Sequence, residues 1–319
     1  MVSAAGWLDQ PLDISGKTIL VLGGTGMVGA AILRRLKNED VHILSPNRSA
    51  LNLLRQDDVE VYMRAHKPDI VIMAAGKVGG IVANVEKPAA FLYENLMIEA
   101  NVIHSCYLAG VEKLLFLGSS CIYPKDAAIP IVEDALLSGA LEPTNAPYAL
   151  AKIAGVKMCD SYRMQFACDY ISAMPCNLYG IGDRYDARKS HVVPALLMRA
   201  HMAKVANDPE LIVWGSGQVL REFLFVDDLA DGLIFLLKNY SGAGAINIGS
   251  GEEISVAELA SLICETVGFE GRLVFDKNMP DGVKRKLIDS QKIMNAGWRY
   301  KTTLRYGLAK TYEDFLAHH

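Results

Sequence analysis

A short apolar run that ends in glycines and then turns helical leaves a chain few folds to adopt. Residues 17–22 (KTILVL) form such a run, and Gly23-Gly24-Thr25-Gly26-Met27-Val28-Gly29 follow it directly. The run length and the glycine stop read as a buried strand, and residues 27–36 continue as a helix. Gly23, Gly26 and Gly29 are spaced three apart. The first glycine permits a tight turn, the second lets backbone approach a pyrophosphate, and the third lets the helix pack close to the strand. The helix N-terminus then faces the phosphates. The strand–glycine–helix context separates this turn from an ordinary strand-to-helix connection.

Downstream, the same alternation repeats. Strands are expected at 41–44, 69–75, 113–118 and 170–174, and helices at 89–109 and 147–166. Strand–helix alternation of this kind implies an α/β fold: a Rossmann-type, doubly wound parallel sheet with helices on both faces. Ligands bind such sheets at the carboxyl ends of the strands. After Asn177 the pattern becomes irregular. Residues 180–190 read as a loop, 223–228 and 245–249 as two further strands, and the remainder as short helices and loops. The expected division is a dinucleotide-binding domain over 1–176, with returning segments near 223–250. A smaller, partly interleaved substrate-binding domain takes 177–222 and 251–319.

Bulk properties exclude several classes. The longest uncharged run, 18–33, holds four glycines and falls short of the ~20 apolar residues of a membrane span. The first residues lack the basic and apolar regions of a secretory signal. Net charge is −4 with no basic block, which argues against nucleic acid or an anionic membrane as partner. The six cysteines form no C-x-x-C pair and no zinc spacing, so no metal is expected and the thiols read as reduced, in a cytoplasmic protein.

The end of the second strand selects the dinucleotide. An acid there would bind the ribose hydroxyls of NAD. This chain has Leu44-Ser45-Pro46-Asn47-Arg48 and no acid before Asp57. Arg48 can pair with a 2′-phosphate, with Ser45 or Asn47 donating hydrogen bonds, which favours NADP(H).

Tyr148-Ala149-Leu150-Ala151-Lys152 gives Y-x-x-x-K, two side chains on one helix face. A lysine cation near a phenol is expected to favour the phenolate, and the tyrosine can then shuttle a proton to a carbonyl oxygen. Gly118-Ser119-Ser120-Cys121 ends the fourth strand and brings a hydroxyl to the same sheet edge. Serine, tyrosine, lysine and a glycine-rich first turn together describe a hydride-transfer site.

With these residues the chain resembles the extended short-chain dehydrogenase/reductase superfamily. Further blocks narrow the resemblance: Lys77-Val78-Gly79-Gly80, Ser119-Ser120-Cys121-Ile122-Tyr123-Pro124, Glu142-Pro143-Thr144-Asn145, Asn177-Leu178-Tyr179-Gly180, Ser190-His191-Val192-Val193-Pro194, Trp214-Gly215-Ser216-Gly217, Arg221-Glu222-Phe223 and Pro280-Asp281-Gly282. From about Gly16 onward they are similar to the GDP-L-fucose synthase family, the GDP-4-keto-6-deoxymannose 3,5-epimerase/4-reductases.

The resemblance implies epimerisation of GDP-4-keto-6-deoxy-D-mannose at C3 and C5, then NADPH-dependent reduction at C4. Both carbons flank the ketone, so one carbonyl pocket serves both steps. It implies catalytic roles for Ser119, Cys121, Tyr148, Lys152 and His191. Ser119 and Tyr148 hold O4, Cys121 is the base of epimerisation and His191 its acid, able to donate a proton at neutral pH. The dinucleotide falls on the residues of the glycine turn, Arg48, Leu117, Gly118, Ser119, Ser120, Tyr148, Lys152, Pro175, Cys176, Asn177, Leu178 and His191. Arg199, Trp214, Arg221, Asp281 and Lys286 take the GDP-sugar, the three bases neutralising its diphosphate. Thr25 stands where some members carry an arginine toward the 2′-phosphate, which leaves Arg48 more isolated. The family pairs as homodimers through two sheet-flanking helices, here those at 89–109 and 147–166. Three other readings remain: the same chemistry on a colitose or heptose precursor, a 4-epimerase retaining NAD, and a non-catalytic dinucleotide-sensing regulator. The missing ribose acid counts against the second, and the presence of Tyr148 and Lys152 against the third.

Overall fold

The computed structural model describes residues 2–3, 6–186, 190–279 and 282–319. Along the chain the elements are β1 (Thr18–Leu22), α1 (Met27–Leu36), β2 (His42–Leu44), α2 (Gln56–His66), β3 (Ile70–Met73), α3 (Ile81–Glu86), α4 (Pro88–Ala109), β4 (Lys113–Leu117), α5 (Ala146–Phe166), β5 (Asp169–Pro175) and β6 (Asn177–Tyr179). There follow α6 (Val192–Ala206), β7 (Glu210–Trp214), β8 (Leu220–Phe225), α7 (Val226–Asn239), β9 (Ala245–Ile248), β10 (Glu253–Ser255), α8 (Val256–Val267), β11 (Arg272–Asp276), β12 (Arg285–Lys286), α9 (Gln291–Asn295) and α10 (Leu304–His318).

Six strands make one parallel sheet in the order β2-β1-β3-β4-β5-β9. Every residue of β3, β4 and β9 is buried, as expected of a parallel sheet covered on both faces. The long helices α4 and α5 pack on each other, with α2 beside α4, while α1 packs on α7. The chain leaves β1 for β2 on one side and reaches β3 on the other. The strand order therefore switches at β1, where a crevice opens at the carboxyl ends. A second sheet places β8 between β10 and β12, with β6 also on β8, and β7 pairs with β11. The buried apolar side chains form two clusters: one around the six-stranded sheet, one among α6, α8, α10 and the strands of the second region.

The strand expected at 223–228 is corrected by the structure. β8 ends at Phe225 and α7 begins at Val226, with Asp227 and Asp228 in its first turn. Carboxylates there complement the positive end of the helix, and the Asp228 carboxylate accepts the N–H groups of Lys301 and Thr302. The apolar run spans the boundary because both elements are buried. Helices α2 and α3, not expected from the sequence, complete the connections on either side of β3.

Gly155 on α5 shows how tightly the helix meets the sheet. A Cβ at this position would lie 2.4 Å from Phe116 Cζ and 2.8 Å from Glu99 Oε2. Alanine normally gains ~1 kcal/mol over glycine inside a helix. Here a buried ring and a buried carboxylate must move, and overpacking of this kind costs about 1–3 kcal/mol. Gly155→Ala is therefore expected to lower the melting temperature by a few degrees and to disturb Lys152 one turn earlier. Thermal unfolding followed by circular dichroism measures the first effect.

Candidate active site

The glycine turn is built for close approach. Gly23 has φ +90°, and a Cβ there would meet the backbone of Ala74 and Ala75 within 3 Å. A Cβ on Gly29 would lie 2.1 Å from the Gly23 carbonyl oxygen, and one on Gly24 2.0 Å from Ser45 Oγ. Thr25 apart, the turn between β1 and α1 carries no side chains, and a pyrophosphate there would face the first turn of the helix. Gly26, Met27 and Val28 carry the chain from the turn into α1. The residues present fit a dinucleotide. At the end of β2, Ser45 and Arg48 are exposed, and among the described residues no carboxylate pairs with Arg48. Asn47 Oδ1 is turned to its own loop, accepting from Ser49 and Ala50.

At the carboxyl end of β4, Gly118 has no room for a side chain: a Cβ would meet Met174 Sδ at 2.3 Å. Ser119 caps the short turn Ser120–Ile122, its Oγ accepting the Cys121 N–H at 3.3 Å. The first turns of α5 bring Tyr148 and Lys152 to this edge. The Lys152 ammonium donates to Leu117 O at 3.0 Å, and lies 4.9 Å from the Phe116 ring centroid and 5.9 Å from that of Tyr148. Pro175, Cys176, Asn177 and Leu178 follow at the end of β5. Cys176 is buried, which pushes its thiol up, and the Asn177 amide ties β6 to β8 by donating to Glu222 O at 2.8 Å.

Lysine does not hold Tyr148 as a phenolate here, contrary to the sequence expectation. Burial pushes the phenol well above its ordinary value, Cys121 and Glu99 add to the shift, and hydrogen bonding with Ser119 opposes it. Burial is the main cause, and a residue that the sequence did not single out adds to it. Glu99, on α4 and 1% exposed, places Oε1 3.2 Å from Lys152 Nζ. A buried carboxylate beside the ammonium consumes its field. Burial in turn pushes the Glu99 carboxyl up against the pull of Lys152. Tyr148 therefore stands protonated, as a donor to a carbonyl oxygen must. An acid in the middle of the apolar helix 89–109 was the signal available for Glu99.

Cys121 and His191 are also placed. The Asn145 side-chain amide donates to Cys121 Sγ at 3.5 Å and the Lys286 ammonium at 3.6 Å. Asn145, just before α5, belongs to the 142–145 block named in the sequence, where no role was given to it. His191 occupies the N-cap position of α6, exposed and with no side-chain capping hydrogen bond. Desolvation of the ring, and then the Lys286 cation, push its imidazole below the ordinary histidine value. The shift is toward the neutral form of the ring. A neutral imidazole still offers one N–H.

The residues expected at the GDP-sugar lie on the second region. The Arg199 guanidinium donates to Ile212 O and stacks 5.4 Å from the centroid of Trp214, which is 37% exposed. Trp214 is thus a surface platform rather than a core residue. Arg221 on β8 pairs in register with Lys286 on β12, beside Gly282. Asp281 lies outside the described residues.

Comparison with known proteins adds a family. The model of the "NAD dependent epimerase/dehydratase family" matches residues 19–249. A GDP-L-fucose synthase of Sinorhizobium fredii is 55% identical over 95% of this chain and 97% of its own length. A GDP-L-colitose synthase of Yersinia pseudotuberculosis is 39% identical over 93% and 97%. Among solved structures, a GDP-L-fucose synthetase from Naegleria fowleri bound to NADP superposes with a TM-score of 0.90, at 27% identity and 98% coverage of both chains.

Proposed function

The chain belongs to the NAD dependent epimerase/dehydratase family, and we infer that it carries out the reaction of GDP-L-fucose synthases. It converts GDP-4-keto-6-deoxy-D-mannose to GDP-L-fucose by 3,5-epimerisation followed by NADPH-dependent reduction at C4. The observation that carries the reading is the second acid–base pair, Cys121 and His191, added to a Ser119–Tyr148–Lys152 reductase site. A plain ketone reductase has no use for it.

The residues act as follows. The Ser119 hydroxyl and the Tyr148 phenol hold the C4 ketone oxygen and polarise it, which acidifies the protons at C3 and C5. Cys121 removes a proton from carbon, and His191 returns one on the opposite face. The developing enolate raises the proton affinity of the imidazole beside it. Tyr148 gives its proton to O4 in the last step, and Lys152 steadies the phenol's face. Bound NADPH supplies the hydride to C4. Arg199 and Arg221 neutralise the diphosphate, and Trp214 offers a flat face to the nucleotide. The test is to incubate the protein with GDP-4-keto-6-deoxymannose and NADPH and identify the sugar. GDP-L-fucose supports the reading. A product of unchanged C3 and C5 configuration, or no product, overturns it.

The cofactor preference is expected to be moderate. One exposed arginine paired with a 2′-phosphate contributes ~1–2 kcal/mol, or roughly tenfold in affinity. NADPH should bind about tenfold tighter than NADH, and Arg48→Ala should erase the difference. Fluorescence titration of both cofactors measures it, and tighter NADH binding contradicts the role of Arg48.

The reading extends to assembly and setting. Tyr93 and Leu108 on α4 and Leu150, Met164 and Phe166 on α5 are exposed apolar side chains on two helices that pack together. A second copy of the chain is the occupant proposed for this face. Light scattering should return twice the 34.8 kDa chain mass, and Met164→Glu should return the monomer. No helix among the described residues is long and apolar enough to cross a membrane. The six free cysteines fit the reducing cytoplasm.

A further inference from the structure

The resemblance assigned Lys286 to the diphosphate, but its ammonium points elsewhere. We propose that Lys286 is the positioning residue of the epimerising base: it holds Cys121 Sγ in the anionic form that takes a proton from carbon. This rests on the reading of Cys121 as that base.

Four observations carry it. First, the sulfur receives donors only. Lys286 Nζ lies 3.6 Å away and Asn145 Nδ2 3.5 Å, and no acceptor for a thiol proton reaches it among the described residues. Such a setting suits a thiolate, the reactive form of cysteine. Second, the cation is not spent elsewhere. The buried lysines Lys113 and Lys152 each pair with a carboxylate, Asp169 and Glu99. Among the described residues none pairs with Lys286. Glu142, which lines the same cavity, receives the Thr144 hydroxyl instead, and Arg285 is taken by Glu253. Third, the backbone around Lys286 is fixed on both sides. Lys286 pairs in register with Arg221, Leu287 O accepts the Ile131 N–H at 2.8 Å, and the Ile288 N–H donates to the buried Glu222 carboxylate at 3.1 Å. Fourth, the same cation acts on His191, whose imidazole is pushed below its ordinary value by desolvation and then by Lys286. One ammonium thus donates to the cysteine and contributes to the field at the histidine of the epimerising pair.

The proton count balances without Lys286 losing a proton. The thiolate takes the C3 or C5 proton and becomes a thiol, and the electron pair moves to the C4 oxygen as an enolate. The His191 imidazole, having taken up a proton from solvent as the enolate charge develops, gives it to the carbon from the other face and returns to its neutral form. The thiol loses its proton to solvent to reset the site. Lys286 keeps its three protons and its charge throughout. The diphosphate is left to Arg199 and Arg221.

The test compares wild type, Lys286→Met and Lys286→Arg, each loaded with oxidised cofactor. Neutral iodoacetamide at pH 7 reports the nucleophilicity of Cys121, read on its own peptide by mass spectrometry. In Lys286→Met the alkylation rate should fall about tenfold, and deuterium wash-in from heavy water at C3 and C5 about a hundredfold. The KM for the GDP-sugar should stay within about threefold. Lys286→Arg should restore alkylation to within about threefold of wild type, which a merely structural role would not predict. Unchanged alkylation in Lys286→Met, with KM raised tenfold or more, overturns the proposal and returns the lysine to the diphosphate. The alkylation arm needs no substrate. If the wild type shows no wash-in, the epimerase reading fails while alkylation still decides the pairing of Lys286 with Cys121.

Discussion

Tyr148→Phe is expected to lower C4 reduction by about 10²–10⁴-fold, the range lost when a positioned proton donor is removed. The phenol is the group that faces the site protonated: burial, Cys121 and Glu99 all push its proton affinity up. Reduction leaves a negative charge on O4 that must be met by a proton, and Ser119, an ordinary alcohol, is a far weaker acid. The ring itself should stay in place. It meets Phe91 edge to face at 6.4 Å between centroids, a contact phenylalanine keeps. NADPH affinity should stay within about threefold, because the glycine turn and the β2 end lie outside the change. The two outcomes are separated by measuring NADPH oxidation at saturating substrate and NADPH binding by fluorescence. Turnover within tenfold of wild type would remove Tyr148 as the proton donor. Deuterium wash-in at C3 and C5 should fall less than reduction does, since the carbon base is untouched and Ser119 still polarises the ketone.

How much of this site the sequence carries depends on the distance over which each feature is set. The glycine turn was legible because strand, turn and helix are contiguous, and Gly29 answers a steric demand set only six residues earlier, at the Gly23 carbonyl, while Gly24 makes room for Ser45 at the end of the next strand. The Tyr148–Lys152 spacing was legible for the same reason. Helix α2 was not, because it buries only Val59 and Met63, a stripe too narrow to stand out from a charged surface. The β8–α7 boundary was not, because strand and helix are both buried and share one apolar run. The electrostatics were least legible of all. Lys152 reads as a cation beside a phenol until Glu99 is brought from another helix to within 3.2 Å. His191 reads as an ordinary imidazole until desolvation and the Lys286 cation act on it. Periodicity places elements, but the field at a side chain is a sum over elements that only the fold brings together.

Cys121→Ser should separate the two halves of the reaction. A hydroxyl is a much poorer carbon base than a thiolate, so epimerisation should drop by several hundredfold or more, by order-of-magnitude reasoning from general-base catalysis. The substitution removes little else. Serine is close in size, the Cys121 backbone N–H still donates to Ser119 Oγ, and Asn145 and Lys286 keep a polar atom to donate to. Neither Cys121 nor His191 is needed to hold the ketone, so Ser119 and Tyr148 should still deliver a slow reduction of the unepimerised substrate. The product is then a GDP-6-deoxy sugar with C3 and C5 unchanged, an outcome that misfolding or loss of substrate binding cannot produce. His191→Asn should also slow exchange, but by less at the deprotonation step, since the thiolate still removes the proton and only its return is impaired. The measurement is deuterium uptake from heavy water at C3 and C5, with the cofactor oxidised so that reduction cannot intervene, followed by identification of the sugar formed when NADPH is supplied. Undiminished uptake at both carbons in Cys121→Ser would take the cysteine out of the mechanism and leave the Asn145–Lys286 cradle around its sulfur without a chemical purpose.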